Sequence, residues 1–144
     1  MTQYKFQYPT IPASEEAFYN DICAVLKPHR LSKELWHRVM LVLSEAFTNA
    51  YLHGNQKDPG TNIIVAIKVN EREISVDIID EGVGGGGSID NINNRQPSTP
   101  SMEGGRGIDL IRHYADFVEF TADEKGGFKV SVKLMLERKE DIKT

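Results

Sequence analysis

From Gly82 to about Glu103 the sequence is mostly glycine, serine, asparagine, proline and threonine, with few apolar residues. Its start, "DEGVGGGG", packs glycines around a single valine directly behind an acidic pair. A stretch with so little apolar area cannot offset the entropy of ordering its own chain, so it forms no packed element. The chain must therefore fold by bringing apolar segments together around a loop of roughly twenty residues. Loops of that length inside a compact domain tend to be functional lids or disordered segments. The glycines at its start read as a hinge, and the polar residues behind them, to about 104, as the lid that swings on it.

The flanking segments read clearly. "YKFQY" at Tyr4 to Tyr8 alternates aromatic with polar residues, as a half-buried strand does, and Pro9 and Pro12 end it. Ser14 offers a helix cap, with Glu15 and Glu16 in a first turn where the helix dipole favours them. That helix is expected to run to about Lys27 and to stop at Pro28. Ser32 opens a longer helix. Leu35, Val39, Leu43, Ala46 and Ala50 recur on one face of it, Trp36 and Phe47 flank them, and Gly54 ends it.

"TNIIVAIKV" and "EISVDIID" are two Ile- and Val-rich strands separated by "NERE", an antiparallel hairpin. After the lid, "GIDLIRHYA" is a short helix, and "DFVEFTA" and "GFKVSVKLML" are two closing strands. The charged tail, about 137–144, is expected to fray. The order β-α-α-β-β-loop-α-β-β implies one domain over residues 1–144. It is an α/β (α+β) two-layer sandwich with a mixed, largely antiparallel sheet and its helices on one face.

Composition narrows the function classes. The chain has 144 residues and a net charge of −4, and its lysines and arginines are scattered rather than striped, which argues against a nucleic-acid binder. The single cysteine, Cys23, permits no disulfide within the chain and reads as a small buried hydrophobe. There is no signal-peptide pattern, and the longest apolar run, "VMLVL", is far too short to span a bilayer. A soluble, cytoplasmic protein without a membrane partner is expected.

Three motifs carry chemistry. In "SEAFTNAYLHGN", Glu45 and Asn49 are four apart and share a helix face at the rim of the apolar stripe. A carboxylate there accepts a proton, and an amide oxygen suits a hard cation. His53, near the helix end, also has a bland account as a dipole partner, and alone it makes a poor zinc site. In "DEGVG", Asp80 ends a strand, and Gly82 and Gly84 let a flat ligand approach the backbone, although Asp and Gly are also ordinary turn residues. In "EGGRGIDLIR", Gly104, Gly105 and Gly107 precede or open a helix whose free N–H groups suit an anion, and Arg106 adds a charge. No P-loop is present, and no strand feeds these glycines as a dinucleotide fingerprint requires.

Together and in this order, the motifs resemble the Bergerat-type ATP-binding fold of gyrase-type ATPases, Hsp90-type chaperones and histidine kinases (GHKL). The similarity is greatest to the bacterial anti-sigma-factor serine kinases. It covers about Phe6 to Leu136. The N box is Glu45, Asn49, Ala50, His53 and Gly54, the first glycine box is Asp80, Gly82 and Gly84, and the second is Gly105, Arg106 and Gly107 with "IDLIR". The resemblance implies ATP/ADP and Mg²⁺ as cofactors. It implies that Asp80 accepts a hydrogen bond from the adenine amino group with Gly84 close to the base. It further implies that Asn49 gives an oxygen to Mg²⁺, that Gly105, Arg106 and Gly107 hold the phosphates, and that Glu45 is the general base. The partners implied are a sigma factor, a STAS-type anti-sigma-factor antagonist as phosphorylation substrate, and a second copy of the chain in a homodimer.

Two departures stand out. Relatives carry threonines near the start of the last strand where this chain has Phe128 and Lys129, and a single bulky residue where it has "GGG". The first allows an alternative, an ATP-gated partner switch with little or no kinase activity. A third reading, the catalytic domain of a histidine kinase-like protein, lacks a helical domain with a phospho-accepting histidine in this sequence.

Overall fold

A computed structural model describes residues 1–82, 105–122 and 126–136, the side chains of 105–107 excepted. The elements are β1 (Thr2–Pro9), α1 (Ala13–Leu26), α2 (Lys33–Asn49), β2 (Asn62–Val69), β3 (Glu73–Asp80), α3 (Gly105–Tyr114), β4 (Phe117–Ala122) and β5 (Phe128–Met135). The five strands form one sheet in the order β1-β2-β3-β5-β4, and every neighbouring pair is antiparallel. The expected two-layer α+β sandwich is observed, but among the described residues the sheet is wholly antiparallel rather than mixed. The tail at 137–144 and most of the lid lie outside the described residues.

The strand residues alternate between two environments. Ile63, Val65, Ile67 and Val69 of β2 are buried, as are Ile74, Val76 and Ile78 of β3 and Phe128, Val130, Val132 and Leu134 of β5. They face α2, whose Leu35, Val39, Leu43, Ala46 and Phe47 complete the same core. The β2–β3 hairpin turns at Asn70, whose side-chain oxygen accepts from the N–H groups of Arg72 and Glu73 at 2.8 and 2.9 Å.

The helix ends refine the sequence reading. Ser32 caps α2, accepting from the Leu35 N–H at 3.2 Å. Ser14 is not the cap of α1: Pro12 holds that place, and the Ser14 hydroxyl donates to the Pro9 carbonyl at 2.6 Å. A 3₁₀ turn over Lys27–His29 follows α1, and Pro28 fits its start because the N–H it lacks has no partner there. Gly54 does not end an α-helix. The last turn, Ala50–Gly54, widens to π geometry, and the Asn55 N–H closes it on the Ala50 carbonyl at 2.8 Å. Cys23 is half-buried at the core margin rather than inside it.

Two junctions tie the layers together. Phe18 of α1 stacks on Phe47 of α2 at 4.4 Å, and Tyr8 of β1 meets both edge-on at 5.9 and 5.6 Å. The Tyr8 hydroxyl donates to Asp21 at 2.6 Å. Burial first, then the Asp21 carboxylate, push the pKa of this hydroxyl far above the usual tyrosine range. At the other end Arg38 of α2 donates to the Tyr114 carbonyl at 2.6 Å, capping α3, and to Asp116 at 3.2 Å. Asp116 in turn accepts from the Met135 N–H at 2.7 Å. Among the described residues no helix is long and apolar enough to cross a membrane.

Candidate functional site

Asp80 is the last residue of β3, the middle strand, and is 2% exposed. A carboxylate this deep needs close partners. Its Oδ1 accepts from the Gly82 N–H at 2.8 Å, and Gly82 adopts φ 67°, a left-handed conformation that glycine takes without strain. Gly54 at the end of the π turn lies against the carboxylate: a Cβ there would stand 1.9 Å from Oδ2. Gly127 lies against the main chain: a Cβ there would stand 1.9 Å from the Asp80 carbonyl oxygen. Two glycines far apart in sequence thus leave room for one aspartate.

Asn49 closes α2 and is 3% exposed, and its side-chain nitrogen has no hydrogen-bond partner among the described residues. An unsatisfied buried amide costs about 1–3 kcal/mol, so its presence calls for an explanation. A half-turn of the amide exchanges oxygen for nitrogen, so the group suits a hard cation that takes the oxygen. The described residues contain no cluster of three or more His, Cys, Asp or Glu that could hold a metal alone. An ion here would take its remaining ligands from phosphate and water, as Mg²⁺ does.

Glu45, half-buried one turn earlier on α2, shares the Asn49 face. His53 is half-buried within the π turn. Gly105 to Gly107 form the first turn of α3, so Gly105 and Arg106 belong to the helix rather than to a linker before it. Such a turn offers main-chain N–H groups without helical partners. The structure therefore brings Glu45, Asn49, Gly54 and Asp80 to one region. Gly84 and Gly104 lie outside the described residues.

Phe128 pairs with Asp80 across the β3–β5 ladder and is wholly buried, near Phe120 at 6.2 Å between ring centroids. Its neighbour Lys129 is half-buried and points to the opposite sheet face. Phe128 is thus core, and it gives the Asp80 carboxylate an apolar neighbour where relatives were expected to place a hydroxyl. A cavity of about 250 Å³ opens beside the same strand ends, lined by Gln7, Asn62, Ile64, Ile79, Asp80, Glu81 and Gly127. Ile64 and Ile79 point away from the helices, so it opens toward the other sheet face, and neither Glu45 nor Asn49 lines it.

Sequence reasoning missed Asn55, Gly127 and Arg38. Asn55 is fully buried, and its side-chain oxygen accepts from the Glu81 N–H, the peptide next to Asp80, at 2.7 Å. The sequence signal was present in part, as an Asn behind the glycine that ends a helix. Gly127 was read only as the first residue of the last strand. Arg38 carries no local signal, because its partners lie 76 and 78 residues away.

The comparisons with known proteins agree with this fold. Residues 11–134 match the family model of the histidine kinase-like ATPase domain. The anti-sigma F factor of Clostridium acetobutylicum is 30% identical over 100 residues, covering 66% of this chain and 66% of that protein. The anti-sigma F factor of Shouchella clausii is 31% identical over 103 residues, covering 68% of each. The chain thus matches about two thirds of the length of these relatives. The crystal structure of the RsbU and RsbW domains of a Mycobacterium tuberculosis protein superposes with a TM-score of 0.66 at 13% identity, covering 96% of this chain and 33% of that one. At that identity the likeness is one of fold. The matched domain is an ATPase domain and so a nucleotide-binding one. With residues 11–134 matched, the chain belongs to the histidine kinase-like ATPase domain family.

Proposed function

We propose that this chain is an ATP-dependent protein-serine/threonine kinase that acts as an anti-sigma factor. It phosphorylates a STAS-type antagonist and sequesters a sigma factor. The observation that carries the reading is the grip on Asp80, whose carboxylate is fixed by Gly54, the Gly82 N–H and the strand end. A rigid, buried acceptor suits one exocyclic amino group, and adenine offers one. The names of the relatives, anti-sigma F factors, support the biological role.

In this reading Asp80 accepts from the adenine amino group, and Gly82 and Gly84 leave the base room. The start of α3, with Gly104, Gly105, Arg106 and Gly107, holds the phosphates. Asn49 would hold Mg²⁺ through its amide oxygen, and the ion would supply neutralisation of phosphate charge there. Glu45 takes the proton from the acceptor hydroxyl as its oxygen bonds to the γ-phosphorus and the bond to ADP breaks. His53 lines the nucleotide side of the π turn.

The buried Phe128 favours a second reading, the ATP-gated partner switch, because it puts an aromatic ring beside Asp80. Calorimetry with Mg²⁺ and ATP separates the cases. Wild type is expected to bind ATP, Asp80→Asn to lose most of the affinity, and Glu45→Ala to keep it while losing phosphate transfer to a STAS domain. ATP binding without transfer by the wild type selects the partner switch. No binding at millimolar ATP sinks both.

A further inference from the structure

Asn55 makes no contact that the N box or the glycine boxes foresee, yet it is wholly buried and joins three separate segments. Its Nδ2 donates to the Thr10 hydroxyl and to the Asn62 carbonyl, each at 2.9 Å. Its Oδ1 accepts from the Glu81 N–H at 2.7 Å. The Glu81 carboxylate then accepts from the Asn62 N–H, and Thr10 pairs with the hydroxyl and carbonyl of Thr61 at 3.0 and 3.1 Å. All the polar groups of this buried amide are engaged in one closed set.

The main chain around it is costly to build. The π turn delivers Asn55, and the next two residues, Gln56 and Lys57, both adopt left-handed conformations at φ 49° and 60°. Non-glycine residues rarely do so, and two in succession persist only where surrounding contacts over-determine them. The wide turn also sets Gly54 against the Asp80 carboxylate. One short segment therefore meets the aspartate on both sides: Gly54 at its side chain, Asn55 at the peptide that follows it.

We infer that Asn55 is a positioning residue for base selection: its amide oxygen, by holding the Glu81 N–H, fixes the peptide from which the Asp80 carboxylate is aimed. The inference rests on the reading of Asp80 as the adenine acceptor. A carboxylate held in one orientation accepts from the adenine amino group and opposes the carbonyl oxygen that guanine presents at the same place. A carboxylate free to turn discriminates less.

The test measures ATP and GTP affinity and melting temperature of the full chain for wild type, Asp80→Asn, Asn55→Ala and Thr10→Val. Wild type is expected to prefer ATP and Asp80→Asn to lose the preference. Asn55→Ala should lower the ATP-to-GTP preference by about tenfold or more, the worth of one directed hydrogen bond to a charged acceptor. Thr10→Val removes a partner of Nδ2 but leaves Oδ1 on Glu81, so it should lower the melting temperature and keep the preference. Asn55→Ala with an undiminished preference overturns the inference while leaving the Asp80 reading intact. So does a Thr10→Val variant that loses as much preference as Asn55→Ala. A wild type without preference removes the Asp80 reading and the inference together. If Asn55→Ala does not fold, wild-type amide exchange decides: the Glu81 N–H should be protected before nucleotide is added, and free exchange there overturns the inference.

Discussion

Two neighbouring positions at the C-terminal end of β1, Tyr8 within it and Thr10 just past it, are tied to the rest of the fold by different physics. At Tyr8 the junction is aromatic, with Phe18 and Phe47 stacked and Tyr8 edge-on to both. At Thr10, two residues on, it is polar, running through Asn55 and Thr61 to Asn62 and Glu81. Apolar contact is strong and tolerant of direction, so the first junction supplies stability. Hydrogen bonds are modest in net energy and strict in geometry, so the second supplies placement. The site stands beside the second.

This contrast predicts that stability and nucleotide recognition are separable. Phe47→Ala should cost about 3–5 kcal/mol by chemical denaturation while the folded fraction keeps its preference for ATP. Loss of that preference in proportion to stability would merge the two junctions into one. Gly54→Ala should do the reverse. Its Cβ would overlap the Asp80 carboxylate, so ATP affinity should fall about 10- to 100-fold by calorimetry, with a smaller stability change. Unchanged affinity would mean that the carboxylate does not face the base.

The smallest effect is expected at Tyr8. Tyr8→Phe removes the hydrogen bond to Asp21 and should cost about 1 kcal/mol near neutral pH. The folded state holds the hydroxyl proton more tightly than the unfolded chain, whose tyrosines titrate near about 10. That contribution is therefore complete below about pH 10 and is lost as pH rises further. The wild type should lose stability on the alkaline side more steeply than the variant, and equal slopes would exclude a perturbed Tyr8.

The strands were legible because Ile and Val alternate in β2 and β3, and α2 was legible from its apolar stripe and the Ser32 cap. Asp80 and Asn49 were legible because a carboxylate at a strand end and an amide at a helix rim break an otherwise apolar pattern. Ser14 misled, since a serine before two glutamates has the composition of a cap whether or not its backbone is placed as one. The π turn was not legible: it adds one residue to a helical turn, and nothing in "AYLHG" departs from α-helical spacing. The roles of Gly127 and Arg38 depend on partners dozens of residues away, and local pattern does not reach that far.

The placement of Asp80 on β3 has a consequence for how the molecule comes apart. With β1 and β4 at the rims of a five-stranded sheet, each rim strand is held along one side only among the described residues. Partial opening begins at such margins, and the innermost strand goes last. Asp80 and its partner strand β5 are thus among the final parts to be dismantled. A peripheral strand can detach, whether through heat or through a bound protein, while the aspartate at the centre stays in register.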